Sequence, residues 1–203
     1  MFITFEGIDG SGKSTQAKAL VSTLQAQGKS CIWTREPGGS EGAEIIRRLL
    51  VEGDPNRWSA ETEILLFNAA RRDHLEKTIQ PALLRGATVV CDRYVDSTRV
   101  YQGVARADLR ELVDVMHGII IGREADLTFI IDIDPEVALT RGLARNSGED
   151  RFEDMGLDFQ KRLRAGFLEL AKQNTKRCHV IDGTQNMETV GHAILKTYKS
   201  IAS

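Results

Sequence analysis

Residues 7 to 15, Gly7-Ile8-Asp9-Gly10-Ser11-Gly12-Lys13-Ser14-Thr15, satisfy the spacing G-x-x-x-x-G-K-[ST] through Gly7, Gly12, Lys13 and Ser14. This feature constrains the fold strongly, because the loop works only between a strand and a helix. Glycines let the backbone curl so that successive N–H groups face phosphate oxygens, and the helix N-terminus adds partial positive charge. The flanks fit. Phe2-Ile3-Thr4-Phe5 is a β-branched and aromatic run that predicts a strand. After Lys13, the residues Ala17, Leu20, Val21 and Leu24 form one helical stripe closed by Gly28. In such a loop Lys13 meets the β- and γ-phosphates and the Ser14 hydroxyl meets Mg²⁺. The plainer alternative is a glycine-rich turn that merely joins strand to helix.

Composition narrows the class. The chain has 203 residues, enough for one domain with a real core. Its net charge of −2 argues against a general nucleic-acid binder. Cys31, Cys91 and Cys178 are far apart, with no C-x-x-C pair, which fits small core residues in a reducing compartment. The four histidines are scattered without ligand spacing, so no protein-held zinc is expected. No secretory signal is recognisable and no apolar run approaches the length of a membrane span. A cytoplasmic protein without membrane or nucleic-acid partners is expected.

Strand and helix patterns alternate along the chain. Further strands are expected at Ser30 to Thr34, Ala87 to Cys91, Leu127 to Ile131 and Cys178 to Ile181. Helices are expected over about Glu41 to Val51, from Ser59 as N-cap to Leu84 with a bend near Pro81, and from Asp108 towards Ile121. Three more follow Pro135, Phe159 and Val190. Five strands separated by helices, several continuously apolar, imply a parallel sheet covered on both faces. The expected fold is α/β, a P-loop three-layer α/β/α arrangement with a five-stranded parallel sheet, in a single domain spanning 1–203. Ligands in such sheets bind beyond the carboxyl ends of the strands. That rule gathers the P-loop, Arg35-Glu36-Pro37, Asp92-Arg93-Tyr94 and Asp132 at one edge.

Asp92 ends an apolar run, where a P-loop protein places an acid for Mg²⁺ and its waters. Arg93 follows it, and a guanidinium fork suits a phosphate shared by donor and acceptor. Asp132 reads better as a structural turn or as a support behind the site. The polar segment at about 142–153 is either a solvated surface loop or a lid whose Arg141, Arg145 and Arg151 close over ATP. A nucleotide-switch protein would need Asn-Lys-x-Asp and Asp-x-x-Gly, yet Asp92 is followed by Arg-Tyr-Val and no Asn-Lys occurs. A small kinase is the best reading on physical grounds, with its acceptor undetermined.

Several stretches then take the argument further. They are Phe5 to Thr15, Thr34-Arg35-Glu36-Pro37-Gly38-Gly39, Phe67-Asn68-Ala69-Ala70-Arg71, Asp92-Arg93-Tyr94-Val95-Asp96-Ser97-Thr98, Tyr101-Gln102-Gly103 and Asp150-Arg151-Phe152-Glu153. In this order they resemble thymidylate kinases of the bacterial type, nearly end to end. The resemblance implies transfer of a phosphoryl group from ATP to dTMP, with Mg²⁺, on a homodimer. It implies that Asp9 reaches the acceptor's 3′-hydroxyl, that Phe67 stacks on thymine and that Arg71 bonds the base edge. Phe67 and Arg71 lie four residues apart, one helical turn, although Phe67 also suits a core position. The resemblance further implies that Ser97 and Thr98 read the base with Gln102, and that Tyr101 crowds the sugar's 2′ position. It sets Arg35 and Glu36 beside the acceptor phosphate and Mg²⁺-bound water, with a cis bond before Pro37. Family members carry a basic residue within the P-loop or put catalytic arginines on the lid. Here Ile8-Asp9-Gly10-Ser11 has no cation, so catalysis is expected to rest on Lys13, Arg93, Arg145 and Arg151, with Arg141 along the nucleotide.

Overall fold

The structure is a computed structural model that describes residues 1–54, 57–106, 108–143 and 155–202, excepting the side chains of 105, 106 and 141–143. Five strands form one parallel sheet: β1 (Phe2–Glu6), β2 (Cys31–Arg35), β3 (Thr88–Asp92), β4 (Leu127–Asp132) and β5 (Cys178–Asp182). Their spatial order is β2-β3-β1-β4-β5, so the strand that feeds the P-loop is central. Every residue of β1 is buried, whereas the edge strands β2 and β5 are only partly so. That difference explains why Phe2-Ile3-Thr4-Phe5 is continuously apolar apart from a threonine, whose hydroxyl meets that of Thr128 at 2.8 Å.

Helices cover both faces. On one side α1 (Lys13–Ala26) and α9 (Met187–Ala202) bury Leu20, Leu24, Ile194 and Tyr198 against Ile3, Phe5, Val90 and Phe129. On the other, α3 (Ala60–His74), α4 (Gln80–Leu84) and α6 (Arg110–Ile120) pack Ile64, Ala82 and Val113 on Phe2, Val89 and Cys91. Beside them α8 (Leu157–Gln173) sets Phe159, Leu163 and Phe167 against Ile130. The other α-helices among the described residues are α2 (Glu41–Val51), α5 (Val95–Val100) and α7 (Pro135–Leu143). The expected α/β/α layering is present.

Two stretches depart from the expected single helices. Ser59 caps α3, accepting from the Thr62 N–H at 3.2 Å, but the helix passes through a π turn at Leu75–Ile79 before α4. Pro81 has no N–H to close on the carbonyl four residues earlier, and the irregularity falls in the turn just before it rather than at the proline. A second π turn, Tyr101–Arg106, extends α5, and α6 starts only at Arg110. The five strands all end on a charged residue: Glu6, Arg35, Asp92, Asp132 and Asp182. The functional groups therefore collect along one edge of the sheet.

Candidate active site

The P-loop turns sharply at the end of β1. Gly7 and Gly10 have φ of 133° and 79°, and neither position has room for a side chain. A Cβ on Gly7 would sit 2.6 Å from the Ile131 carbonyl oxygen, and one on Gly10 would sit 2.0 Å from that of Ala138. The loop thus rests on the end of β4 and on α7. Helix α1 begins at Lys13 with no acidic residue in its first turn, leaving its positive end open to an anion. The buried Lys13 amine donates to the Ile8 carbonyl at 2.7 Å. Burial, then Arg93, push this amine down to about 8, with Asp9, Asp92 and Glu6 opposing.

Ser14 Oγ hydrogen-bonds Asp92 Oδ2, while Asp92 Oδ1 is buried with no partner among the described residues. A hydroxyl beside a carboxylate with a spare oxygen suits a hard cation and its water shell. Among the described residues no three His, Cys, Asp or Glu side chains converge on a metal site. The Ser14–Asp92 pair fits a hard cation such as Mg²⁺ whose remaining ligands would come from phosphate and water.

Beyond β3 the backbone at Arg93 takes φ 68°, the one left-handed non-glycine among the described residues. That turn swings the guanidinium back under the P-loop. It donates to Gly7 O at 3.2 Å, Ser97 Oγ at 2.8 Å, Asp9 Oδ1 at 2.6 Å and Tyr101 Oη at 3.0 Å. Tyr101 in turn donates to Asp9 Oδ2 at 2.8 Å and is held by the Phe159 and Phe167 rings. Burial favours a neutral Asp9, but the charges of Arg93 and Lys13 and the bonds from Tyr101 and Arg93 overcome it and hold the carboxyl well below its usual range. A cation and a carboxylate are thus fixed side by side next to the phosphate loop.

A cavity of about 120 Å³ opens from this pair, with Asp9, Arg93, Ser97, Thr98, Tyr101 and Gln102 on one side. Glu36, Pro37, Arg47, Val51, Phe67, Arg71 and Tyr94 complete its wall. Phe67 is half-buried, as an aromatic platform for a ligand must be. Arg71 is almost wholly buried: Nε donates to Glu36 Oε2 at 2.7 Å, Nη2 donates to Thr98 Oγ1 at 3.0 Å, and Nη1 has no partner among the described residues. Gln102 donates to Glu63 at 3.0 Å and leaves its buried Oε1 unmatched. An unmatched donor and an unmatched acceptor therefore belong to residues lining one pocket, as the edge of a nucleobase requires.

Most of the residues singled out in the sequence meet here, with three differences. Arg35 turns to Glu44 at 3.2 Å and does not line the cavity. Glu36 does line it, behind a cis peptide to Pro37, yet both its oxygens are taken, by Arg71 and by His74 Nδ1 at 3.0 Å. The Ser97 hydroxyl donates to Glu6 at 2.6 Å while accepting from Arg93, so it braces the site's scaffold rather than waiting free for a base. Thr15 is exposed on α1. Asp132 takes a two-pronged ion pair from Arg164 at 2.6 and 2.8 Å, a structural role. The side chain of Arg141, and Arg145, Arg151 and most of the 142–153 segment, lie outside the described residues.

Sequence reasoning passed over Glu6, His74 and Arg47. Glu6 ends the buried β1 and accepts from Tyr94 N at 2.7 Å and from Ser97, so it ties Asp92-Arg93-Tyr94 to the P-loop strand. Burial and the nearby Asp96 push its carboxyl up. The signal was available, since a carboxylate closing an apolar strand needs a reason. His74 lies three residues beyond Arg71 on the same helix face, a spacing that could have flagged it. Arg47 donates to the Pro37 carbonyl at 2.5 Å and brings a third cation to the cavity wall, beside Arg71 and Arg93. Nothing in the local pattern of α2 distinguishes it from Arg48.

A family model described as thymidylate kinase matches residues 5–194. The thymidylate kinase of Ruegeria pomeroyi is 62% identical over 190 residues, covering 94% of this chain and 90% of that protein. That of Dinoroseobacter shibae is 68% identical over 183 residues, covering 90% and 88%. The crystal structure of thymidylate kinase from Ehrlichia chaffeensis superposes with a TM-score of 0.78 at 38% identity, covering 97% of each chain. A phosphate loop against a carboxylate–guanidinium pair, opening on a pocket for a planar base, and these likenesses agree: the chain belongs to the thymidylate kinase family.

Proposed function

We propose the following assignment of roles for the family's reaction, in which this enzyme transfers the γ-phosphoryl group of ATP to dTMP, giving dTDP and ADP. The observation that carries it is the Asp9–Arg93 pair, 2.6 Å apart, standing between the phosphate loop and the base-sized cavity. ATP lies along Gly7, Ile8, Asp9, Gly10, Ser11, Gly12, Lys13, Ser14 and Thr15, with loop N–H groups and the Lys13 amine on its phosphates. Ser14 and, through water, Asp92 hold Mg²⁺, which when bound neutralises phosphate charge. dTMP enters the cavity with its base on Phe67 and its edge against Arg71, Thr98 and Gln102. Its 3′-hydroxyl meets the ionised Asp9, and Tyr101 fills the space beside C2′. Arg93 and Arg47 face the acceptor phosphate, while Arg35 and Glu36 border that end of the site. Phosphoryl transfer depends mainly on alignment and charge, and Arg93 is already anchored where both phosphates converge. Arg145 and Arg151 add charge from a lid over 142–153, and Arg141 lies along the nucleotide.

The assembly reading is a homodimer of single-domain chains in the cytoplasm. Its support is a run of exposed apolar side chains on adjoining helices: Ile45 and Leu49 on α2, Leu65 on α3, and Val115 and Ile119 on α6. A sedimentation profile of Leu65→Glu that matches the unaltered protein would count against that face. Among the described residues no helix is long and apolar enough to cross a membrane. The substrate assignment is tested by coupled ADP release with dTMP, dUMP, dCMP, dGMP and dAMP each supplied separately as acceptor. dTMP should give the highest kcat/KM, and a preference for any other acceptor overturns the assignment.

A further inference from the structure

Arg71 heads the largest fully buried side chains among the described residues. A guanidinium taken out of water must have its donors met in a fixed geometry, or the cost is severe. Glu36 supplies the main partner, and a carboxylate has two oxygens. Oε2 accepts from Arg71 Nε at 2.7 Å, and Oε1 faces His74 Nδ1 at 3.0 Å. On the far side of the ring, His74 Nε2 is 2.7 Å from Thr34 Oγ1 on β2. The carboxylate can only accept, so Nδ1 carries a proton; with the ring neutral, Nε2 then accepts from the Thr34 hydroxyl. The order Thr34, His74, Glu36, Arg71 therefore runs with every donor facing an acceptor. Gly39 closes over it: a Cβ there would come within 2.4 Å of His74 Nε2 and 2.5 Å of Thr34 Oγ1.

His74 is fully buried and does not line the cavity, so it meets no substrate. We propose that His74 is a positioning residue for base selection. By holding Glu36 Oε1, it fixes the Arg71 fork so that the unmatched Nη1 donor serves the acceptor's base. A donor at that place favours a base carbonyl and disfavours an exocyclic amino group, which would set donor against donor. His74 thereby contributes to the preference for a pyrimidine with a carbonyl at C4 over cytosine, which carries an amino group there. The inference rests on the reading of Arg71 as the base-edge donor.

Steady-state kinetics with dTMP and dCMP test it. Loss of the bond to an ionised Glu36 in His74→Phe should raise the KM for dTMP about tenfold or more. The kcat should change far less, and the dTMP-to-dCMP ratio of kcat/KM should fall. His74→Asn, whose amide restores a donor near Nδ1, should recover most of the loss, which a purely packing role would not allow. Thr34→Val removes only the outer bond and keeps the side-chain shape, so it remains informative if the ring replacement fails to fold. It should shift KM and discrimination in the same sense by a smaller factor. Arg71→Met separates the two levels of the argument. An unchanged KM for dTMP in Arg71→Met overturns the reading of the cavity and this proposal with it. A raised KM in Arg71→Met, with discrimination unchanged in His74→Phe and Thr34→Val, overturns the role of His74 alone.

Discussion

Arg93 offers a perturbation in which backbone and side chain can be read separately. Its guanidinium makes four hydrogen bonds, to Gly7, Ser97, Asp9 and Tyr101, and its backbone sits at φ 68°. Arg93→Ala and Arg93→Gly lose the same guanidinium, so the side-chain cost cancels when the two are compared. The left-handed backbone costs an L-residue about 1–2 kcal/mol, and the extra flexibility of unfolded glycine takes back part of that. The glycine variant should therefore be the more stable by about 1 kcal/mol, a Tm difference of about 2–4 °C for a chain of this size. Activity should not follow stability. Each variant should lose roughly 10³-fold or more in kcat, as removal of a catalytic arginine from phosphoryl transfer does. Calorimetry and ADP-release kinetics on both variants supply the two numbers. An alanine variant as stable as the glycine variant refutes the backbone argument. A glycine variant within tenfold of the unaltered kcat refutes the charge argument.

Three further outcomes are expected. Lys13 is held down to about 8 by burial and Arg93, so kcat/KM for ATP should be level below that pH and fall about tenfold per unit above it. The unfolded lysine binds its proton up to its ordinary 10.5, so the unfolded state holds more protons between those values and stability should rise with pH there; a level ATP profile up to pH 10 removes Lys13 as the phosphate cation. Tyr101→Ala should admit ribonucleotide acceptors, whereas Phe67→Ala should weaken deoxy and ribo acceptors alike by about 1–3 kcal/mol, the scale of base stacking; equal deoxy and ribo losses in Tyr101→Ala contradict its steric role. Substituting Arg145 and Arg151 should lower kcat much more than it raises the KM for dTMP, and changes within about twofold would make the segment an ordinary surface loop.

The layered fold was legible because its signals are local. Phe2 to Phe5, the glycine loop and the stripe of Ala17, Leu20 and Leu24 fix strand, turn and helix within 24 residues. The carboxyl-end rule then placed Asp92, Arg93 and the P-loop together without any contact being known. Interruptions within helices were harder. The π turns at Leu75–Ile79 and Tyr101–Arg106 depend on how the chain closes around Pro81 and around the cavity, which periodicity does not encode. The direction of long side chains was harder still. Arg35 and Glu36 are neighbours in a recognisable motif, yet one faces Glu44 near solvent and the other is drawn inward by Arg71 and His74. Such choices are made by partners 9 to 38 residues away, and no spacing rule reaches them.

The central claim is that this site passes a phosphoryl group from nucleotide to nucleotide rather than to water. It is met most directly by following γ-labelled ATP in the presence of dTMP and separating the labelled products. The geometry of Asp9, Arg93 and the adjoining cavity predicts label in dTDP, in step with the ADP formed. Label released as inorganic phosphate at a rate independent of dTMP would contradict it, and would mark the phosphate loop as that of a hydrolase or switch.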